Sequence, residues 1–136
     1  MRVFVDTNVW LDVTLHRPGL ADASAFLLRC AARLDDLWVA WHTVANVDYI
    51  LGRAGQTQAQ RAGHLHDLLQ QARIAPTDET DALFALGLGW KDFEDALQLA
   101  AALRCQADLI VTGNTRHFTG SSLPVLTVSA FLAQYP

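Results

Sequence analysis

Arg2-Val3-Phe4-Val5-Asp6-Thr7-Asn8 opens the chain with three apolar, strand-favouring residues that run straight into an acid and a short polar turn. An amphipathic stretch follows, Val9-Trp10-Leu11-Asp12-Val13-Thr14, and it reads as a helix. A buried-type strand followed directly by a helix is the first half of a βαβ unit. In open α/β sheets, ligand sites lie at the carboxyl ends of strands, which is where Asp6 falls. A competing reading gives this acid no chemistry: Asp and Thr are good helix N-caps, so Asp6 or Thr7 could simply start the next helix.

Outward from this segment, strand-like and helical patterns alternate. Ala21 to Leu34 carries Ala23, Phe26, Leu27, Cys30 and Leu34 at helical spacing, and Leu37-Trp38-Val39-Ala40 is a second strand. His42 to Arg53 reads as a helix with Val44, Val47, Ile50 and Leu51 on one face, ended by Gly52 and Gly55. Thr57 to Arg73 is another helix, with Leu65, Leu68 and Leu69 inward, and Ile74-Ala75 is a short third strand. Helices over Asp78 to Leu86 and Phe93 to Cys105 follow; the second is apolar nearly all round, as expected of a helix packed between layers. Leu109-Ile110-Val111-Thr112 is a buried strand, Pro124-Val125-Leu126 a last strand, and Ser129 to Tyr135 a last helix. The alternation predicts an α/β fold with a central parallel sheet, in one domain over 1–136.

Composition narrows the function classes. A hydrophobic fraction of 51% supplies a core, while a net charge of −4 gives the chain as a whole no basic footprint for nucleic acid. A nuclease survives that test, because a site that binds phosphate through metal ions held by carboxylates is itself acidic. Cys30 and Cys105 lie far apart in helical patterns, so buried free thiols are expected rather than a disulfide framework. No apolar run reaches the roughly 18 residues of a membrane span, and the N-terminus reads as a strand and not as a signal peptide. No membrane partner and a reducing, cytoplasmic location are the expectations.

Asp6 finds its candidate partners in Trp90-Lys91-Asp92-Phe93-Glu94-Asp95-Ala96-Leu97. Acids favour the first turn of a helix through the dipole and capping, which accounts well for Asp92 and partly for Glu94. It accounts less well for Asp95, which is already entering the apolar run Ala96, Leu97, Leu99, Ala100 and Ala101. A buried unpaired carboxylate is costly, and a bound cation is one way to resolve it. Asp92 and Asp95, three apart, share a helix face, and Glu94 is expected to point elsewhere. Leu109-Ile110-Val111-Thr112-Gly113-Asn114 is the third constellation, a buried strand ending in hydroxyl and amide groups, with Asn114 as a plain N-cap the alternative. In a parallel sheet it opens on the same edge as Asp6. Together these groups place Asp6, Asp95 and either Asp92 or Glu94 around one hole, with further oxygen donors from Asn8, Thr112 and Asn114. Oxygen-only donors suit Mg²⁺ or Mn²⁺, and the chemistry such a site supports is in-line attack on a phosphodiester by metal-activated water.

Other site types lack their signatures. There is no GxGxxG, no Walker A loop and no HExxH, and no serine lies in a GxSxG elbow. His64 and His66 are two apart, the wrong spacing for one helix face. His16, His42 and His117 are isolated in sequence and read as solvated or capping residues. Trp10, Trp38, Trp41 and Trp90 read as core or rim.

Three segments together resemble PIN domains, including the VapC-like toxins of bacterial toxin–antitoxin pairs. Phe4-Val5-Asp6-Thr7-Asn8-Val9-Trp10-Leu11-Asp12 resembles the family's opening. Asp92-Phe93-Glu94-Asp95-Ala96-Leu97-Gln98 resembles the helix that carries a later acid, and Leu109 to Asn114 with His117-Phe118 its last active-site strand and turn. The resemblance implies an α/β/α sandwich, a Mg²⁺- or Mn²⁺-dependent ribonuclease acting on RNA, a homodimer in many members, and inhibition by a cognate antitoxin. By matching positions it makes Asp6 and Asp95 metal ligands, with Glu94 or Asp92 assisting, and puts Asn114 where members show Asp or Asn. Two departures stand out. Thr43-Val44-Ala45-Asn46 carries an amide where the family usually has Glu, so Asn46 joins Asn8 and Thr112 as a group positioning water or substrate. Asp48, the nearest acid, points about 160° away around the helix. His117 stands where relatives often have an acid.

Two alternatives compete with the nuclease. One is a PIN-like module that has lost turnover and binds RNA or a protein partner, as Asn46 and His117 would suggest. The other is a phosphatase-like hydrolase using Asp6 as nucleophile; it ranks last, because Asn8 holds the place of the second acid that chemistry wants.

Overall fold

Strand β1 (Arg2–Val5) sends Val3 and Val5 to one side of the sheet and Phe4 to the other, as the two-residue period of a strand requires. All three are fully buried, so both faces of β1 are covered. The computed structural model describes residues 1–136. In order, the remaining elements are α1 (Thr7–Thr14), α2 (Leu20–Arg33), β2 (Asp36–Val39), α3 (Trp41–Arg53), α4 (Gln58–Gln71), β3 (Ala72–Ile74), α5 (Glu79–Gly87), α6 (Phe93–Arg104), β4 (Leu109–Thr112), a 3₁₀ turn over Thr115–Phe118, β5 (Val125–Thr127) and α7 (Val128–Gln134).

The five strands form one sheet in the order β3-β2-β1-β4-β5. Every pairing is parallel, with Val3 opposite Leu37 on one side and Leu109 on the other. Val3, Val5, Leu109 and Val111 pack under α1, α2, α3, α4 and α7 through residues such as Trp10, Phe26, Val47, Leu68 and Phe131. Phe4 and Ile110 pack on the opposite side against Leu99, Ala101 and Ala102 of α6. Ala96 and Ala100 of the same helix meet Ala85 of α5. The result is the expected α/β/α sandwich, and the small residues of α6 let it lie close to the sheet and to α5 at once. Cys30 and Cys105 are buried free thiols. No helix is long and apolar enough to cross a membrane.

The chain builds outward from β1 to β2 and β3, then returns to lay β4 on the other side of β1. The carboxyl ends of β1 and β4 therefore flank the point where the strand order reverses, the crevice in which open α/β sheets bind ligands. The Asp6 amide donates to the Val111 carbonyl across this point at 2.9 Å.

Several local expectations shift. Leu69, read as inward, is 45% exposed, and Leu34, counted in the helical apolar spacing, is 90% exposed. Leu34 is the left-handed C-cap residue of α2 (φ 57°), and this conformation turns its side chain away from the helix's apolar stripe. The third strand forms over Ala72–Ile74 and not Ile74-Ala75, because Ala72 and Ile74 pair in register with Leu37 and Val39. Helix α1 starts at Thr7, two residues before the apolar periodicity begins. The 3₁₀ turn after β4 has no apolar period to announce it.

Candidate active site

Asp6 occupies the N-cap position of α1, with extended backbone (φ −63°, ψ 145°), yet its side chain caps nothing. Both carboxylate oxygens are drawn the other way. Oδ2 accepts from the Thr112 hydroxyl at 2.7 Å, and Oδ1 accepts from the Gln98 side-chain amide at 2.9 Å. The Thr112 hydroxyl oxygen in turn accepts from the Asn114 backbone N–H at 3.1 Å. Three elements thus converge on one acid: the end of β1, the end of β4 and the second turn of α6. Asp6, Gln98 and Thr112 are all buried. Thr7 is not a cap either; its hydroxyl lies 3.0 Å from that of Thr43, a buried contact that ties α1 to α3.

Asp92 is the acid that caps. It is the N-cap of α6, and its Oδ1 accepts from the backbone N–H groups of Glu94 and Asp95 at 2.9 and 3.3 Å. Asp95 is only 7% exposed although it lies in the first helical turn. Its carboxyl is pushed up to about 6, mainly by burial and then by the Asp92 charge; Asp6 and Glu94 add to this and His117 opposes it. The Glu94 carboxyl is also raised, by burial and by the charges of Asp6 and Asp92, while the neighbouring Asn46 amide and His117 work the other way. Four acids from β1 and the start of α6 therefore share one field.

Glu94 does not point away as expected. It reaches α3, where it meets Asn46 and comes within 3.8 Å of His42 Nε2. The site is wider than one face of α6, so both neighbours on that turn reach it. The isolated reading of two histidines fails for the same reason. His117 Nδ1 stands 3.5 Å from Asp95 Oδ2. Asn114 Oδ1 accepts from the Arg116 N–H at 3.1 Å, which leaves its amide nitrogen 3.1 Å from His117 Nε2. An amide nitrogen only donates, so in the neutral ring Nε2 accepts and Nδ1–H faces Asp95. Burial holds His42 below the usual histidine range, against the pull of Asp6.

The fold thus gathers Asp6, Glu94, Asp95, Asp92, Thr112, Asn114 and Asn46. Asn8 is exposed on the first turn of α1. Asp48 pairs with Arg61 at 3.0 Å, outside the site. Gln98, whose amide holds Asp6, is not among the site residues expected from the sequence. Its signal was available: an amide three residues after Asp95, on the same face of an otherwise apolar helix.

A cleft of about 810 Å³ opens beside these acids, lined by Asp92, Glu94, Asp95, Lys91, Arg116 and His117 among others. Five arginines, Arg2, Arg29, Arg61, Arg73 and Arg104, are held in salt bridges elsewhere. Lys91, the only lysine, and Arg116 are left free at the cleft.

The sequence matches the PIN-domain profile over residues 2–116. The chain belongs to the PIN-domain family. Solved structures carry this PIN fold at low identity. VapBC2 from Rickettsia felis, bound to a DNA fragment from their promoter, matches with a TM-score of 0.72 at 17% identity, over 93% of this chain and 98% of that one. VapBC-1 from nontypeable Haemophilus influenzae matches with a TM-score of 0.72 at 18% identity, over 95% and 99%. FitAcB from Neisseria gonorrhoeae matches with a TM-score of 0.60 at 19% identity, over 93% and 98%. No curated protein matches the chain.

No group of three or more His, Cys, Asp or Glu side chains in this PIN domain is gathered tightly enough to hold a metal by itself. Mg²⁺, however, is commonly held through one or two carboxylates and keeps several waters. Asp6 and Asp95 meet that requirement. They are buried, the Asp6 charge raises the Asp95 carboxyl, and both present carboxylate oxygens, with the Thr112 hydroxyl beside Asp6. The donor set fits a small, hard divalent cation.

Proposed function

We propose that this PIN-domain protein is a metal-dependent endoribonuclease, the toxin of a toxin–antitoxin pair. One observation carries the reading: Asp6 and Asp95 are buried beside each other's charge at the strand-order reversal, and neither is in a salt bridge with a lysine or arginine. Asp6 and Asp95 hold Mg²⁺ or Mn²⁺. The bound ion would polarise the phosphodiester and a water molecule and offset developing charge. Glu94 and Asp92 deepen the negative field that draws the cation in. Thr112 fixes the Asp6 carboxylate, and Asn8, Asn46 and Asn114 position water or substrate. Lys91 and Arg116 meet the RNA phosphates.

The toxin assignment and the cognate antitoxin rest on the VapC-like motifs and on the fold shared with VapBC and FitAcB. A homodimer is proposed on the same ground. A second reading, an RNA-binding module without turnover, is favoured by Asn46 in place of a carboxylate.

Cleavage of single-stranded RNA in Mn²⁺, against a chelator control, separates the two readings. Wild type cleaves only with Mn²⁺, and Asp6→Asn loses more than the roughly 10–100-fold typical of residues that merely support a metal ligand. Unchanged Mn²⁺-dependent cleavage by Asp6→Asn would overturn the assignment. RNA binding without cleavage by wild type would leave the binding module.

A further inference from the structure

Gln98 is 1% exposed and sits one helical turn beyond Asp95 on α6. Its amide nitrogen donates to Asp6 Oδ1 at 2.9 Å, while its carbonyl oxygen is buried and has no partner anywhere in the chain. A buried acceptor left unmet costs about 1–3 kcal/mol, so an amide at this position is poorly explained by packing. Leu or Met would fill the same space in a helix whose neighbours are Leu99, Ala100, Ala101 and Ala102 without stranding a polar atom.

The choice of an amide has a chemical logic. Asp6 lies under α6 and its Oδ1 needs a donor from that side. A lysine or arginine would supply one, but its charge would repel a divalent cation and occupy the carboxylate. A glutamate would offer no donor. A neutral amide fixes the carboxylate and leaves its charge for a cation. It also brings a carbonyl oxygen that can accept from a donor arriving with the ligand.

We propose that Gln98 is a positioning residue for the metal site. Its N–H orients Asp6, and its free carbonyl oxygen accepts a hydrogen bond from a water in the hydration shell of the bound divalent ion. Thr112 holds the other oxygen of Asp6, so the two donors fix the carboxylate from opposite sides. The inference rests on Asp6 binding a divalent ion, as proposed above.

The test is Mn²⁺ binding to the full chain, followed by calorimetry and by the Mn²⁺ electron paramagnetic resonance spectrum, for wild type, Gln98→Leu and Gln98→Asn. Leu keeps the volume and loses both polar functions. Asn keeps the amide on a stem one methylene shorter. Both variants are expected to bind Mn²⁺ about 10–100-fold more weakly, the range for groups that orient a metal ligand, with an altered spectrum at saturation. Gln98→Leu leaves the buried Asp6 Oδ1 without its donor, so its metal-free melting temperature is expected to fall, and the rise in melting temperature on adding Mn²⁺ should shrink in both variants. A purely structural Gln98 predicts the lower metal-free melting temperature alone, with wild-type Mn²⁺ affinity, spectrum and Mn²⁺-induced rise in the folded protein. That result would overturn the proposal. Absence of Mn²⁺ binding by wild type would overturn the metal reading, and this inference with it. Should Gln98→Leu not fold, the affinity and spectrum of Gln98→Asn decide alone.

Discussion

Asp6 and Asp92 both stand at helix N-cap positions, and only Asp92 caps. The distinction lies in what else is within reach. Asp92 has only backbone N–H groups before it, whereas Asp6 emerges between Thr112 and Gln98 and turns to them. Sequence alone leaves both acids with the same two readings, because local capping chemistry is identical and the deciding donors come from residues about a hundred positions away. Asp95 was more legible, since an acid entering an apolar helix already signals an unsatisfied charge. Its fate with pH follows from its surroundings. The carboxyl titrates near 3.8 ordinarily and near 6 here, so between those values the folded protein holds a proton that the unfolded chain has released. The contribution of Asp95 to the stability of the metal-free protein therefore falls as pH rises through that window and stays unfavourable above it. Asp95→Asn is expected to raise the metal-free melting temperature at pH 7 relative to wild type, and to make little difference at pH 4, as read by circular dichroism. Mn²⁺ affinity of wild type should strengthen from pH 5 to pH 7, because the ion competes with that proton. Asn46 faces Glu94, so Asn46→Glu adds a carboxylate to the same field. Tighter Mn²⁺ binding by calorimetry and a lower metal-free melting temperature are the expected outcomes.

At the scale of elements, the strands and long helices were readable from period, and the segment from Gly113 to Leu123 was not. It folds as a 3₁₀ turn plus loop, with its one buried side chain, Phe118, supplying no period. Yet this segment forms a wall of the cleft and delivers His117 to Asp95, which is why the histidine looked isolated. Its seating depends on Gly120. A Cβ there would lie 2.9 Å from Trp90 Nε1, and the indole is braced edge-on against Phe118 with ring centroids 6.2 Å apart. Gly120→Ala forces Trp90 or the loop to move, at about 1–3 kcal/mol. A lower melting temperature together with changed tryptophan fluorescence would show it; an unperturbed Trp90 signal would not fit. Helix α6 was read correctly as packed between layers, but the consequence for Glu94 was not. Which side chains of its first turn reach the site depends on where α3 ends up, and that is a tertiary fact.

For the whole molecule, the parallel sheet was the most legible feature, because strands buried on both faces and separated by helices leave few other architectures. The strand order is what places the site. With β4 beside β1, the ends of two distant segments meet, and Asp6, Thr112 and the start of α6 share one crevice. Stability is supplied largely elsewhere. Phe131 of α7 is fully buried against Phe26 of α2, with ring centroids 5.1 Å apart, on the layer opposite α6. Phe131→Ala should cost about 3–5 kcal/mol by chemical denaturation, while the folded fraction keeps wild-type Mn²⁺ affinity. The central claim is that one acidic crevice holds the metal and does the chemistry. Its most direct test is cleavage of single-stranded RNA by wild type and Asp95→Ala, with and without Mn²⁺. Cleavage by wild type in Mn²⁺ alone, and none by Asp95→Ala at the same Mn²⁺ concentration, is the predicted result. Equal cleavage by Asp95→Ala, or cleavage by wild type that persists under a chelator, would contradict it.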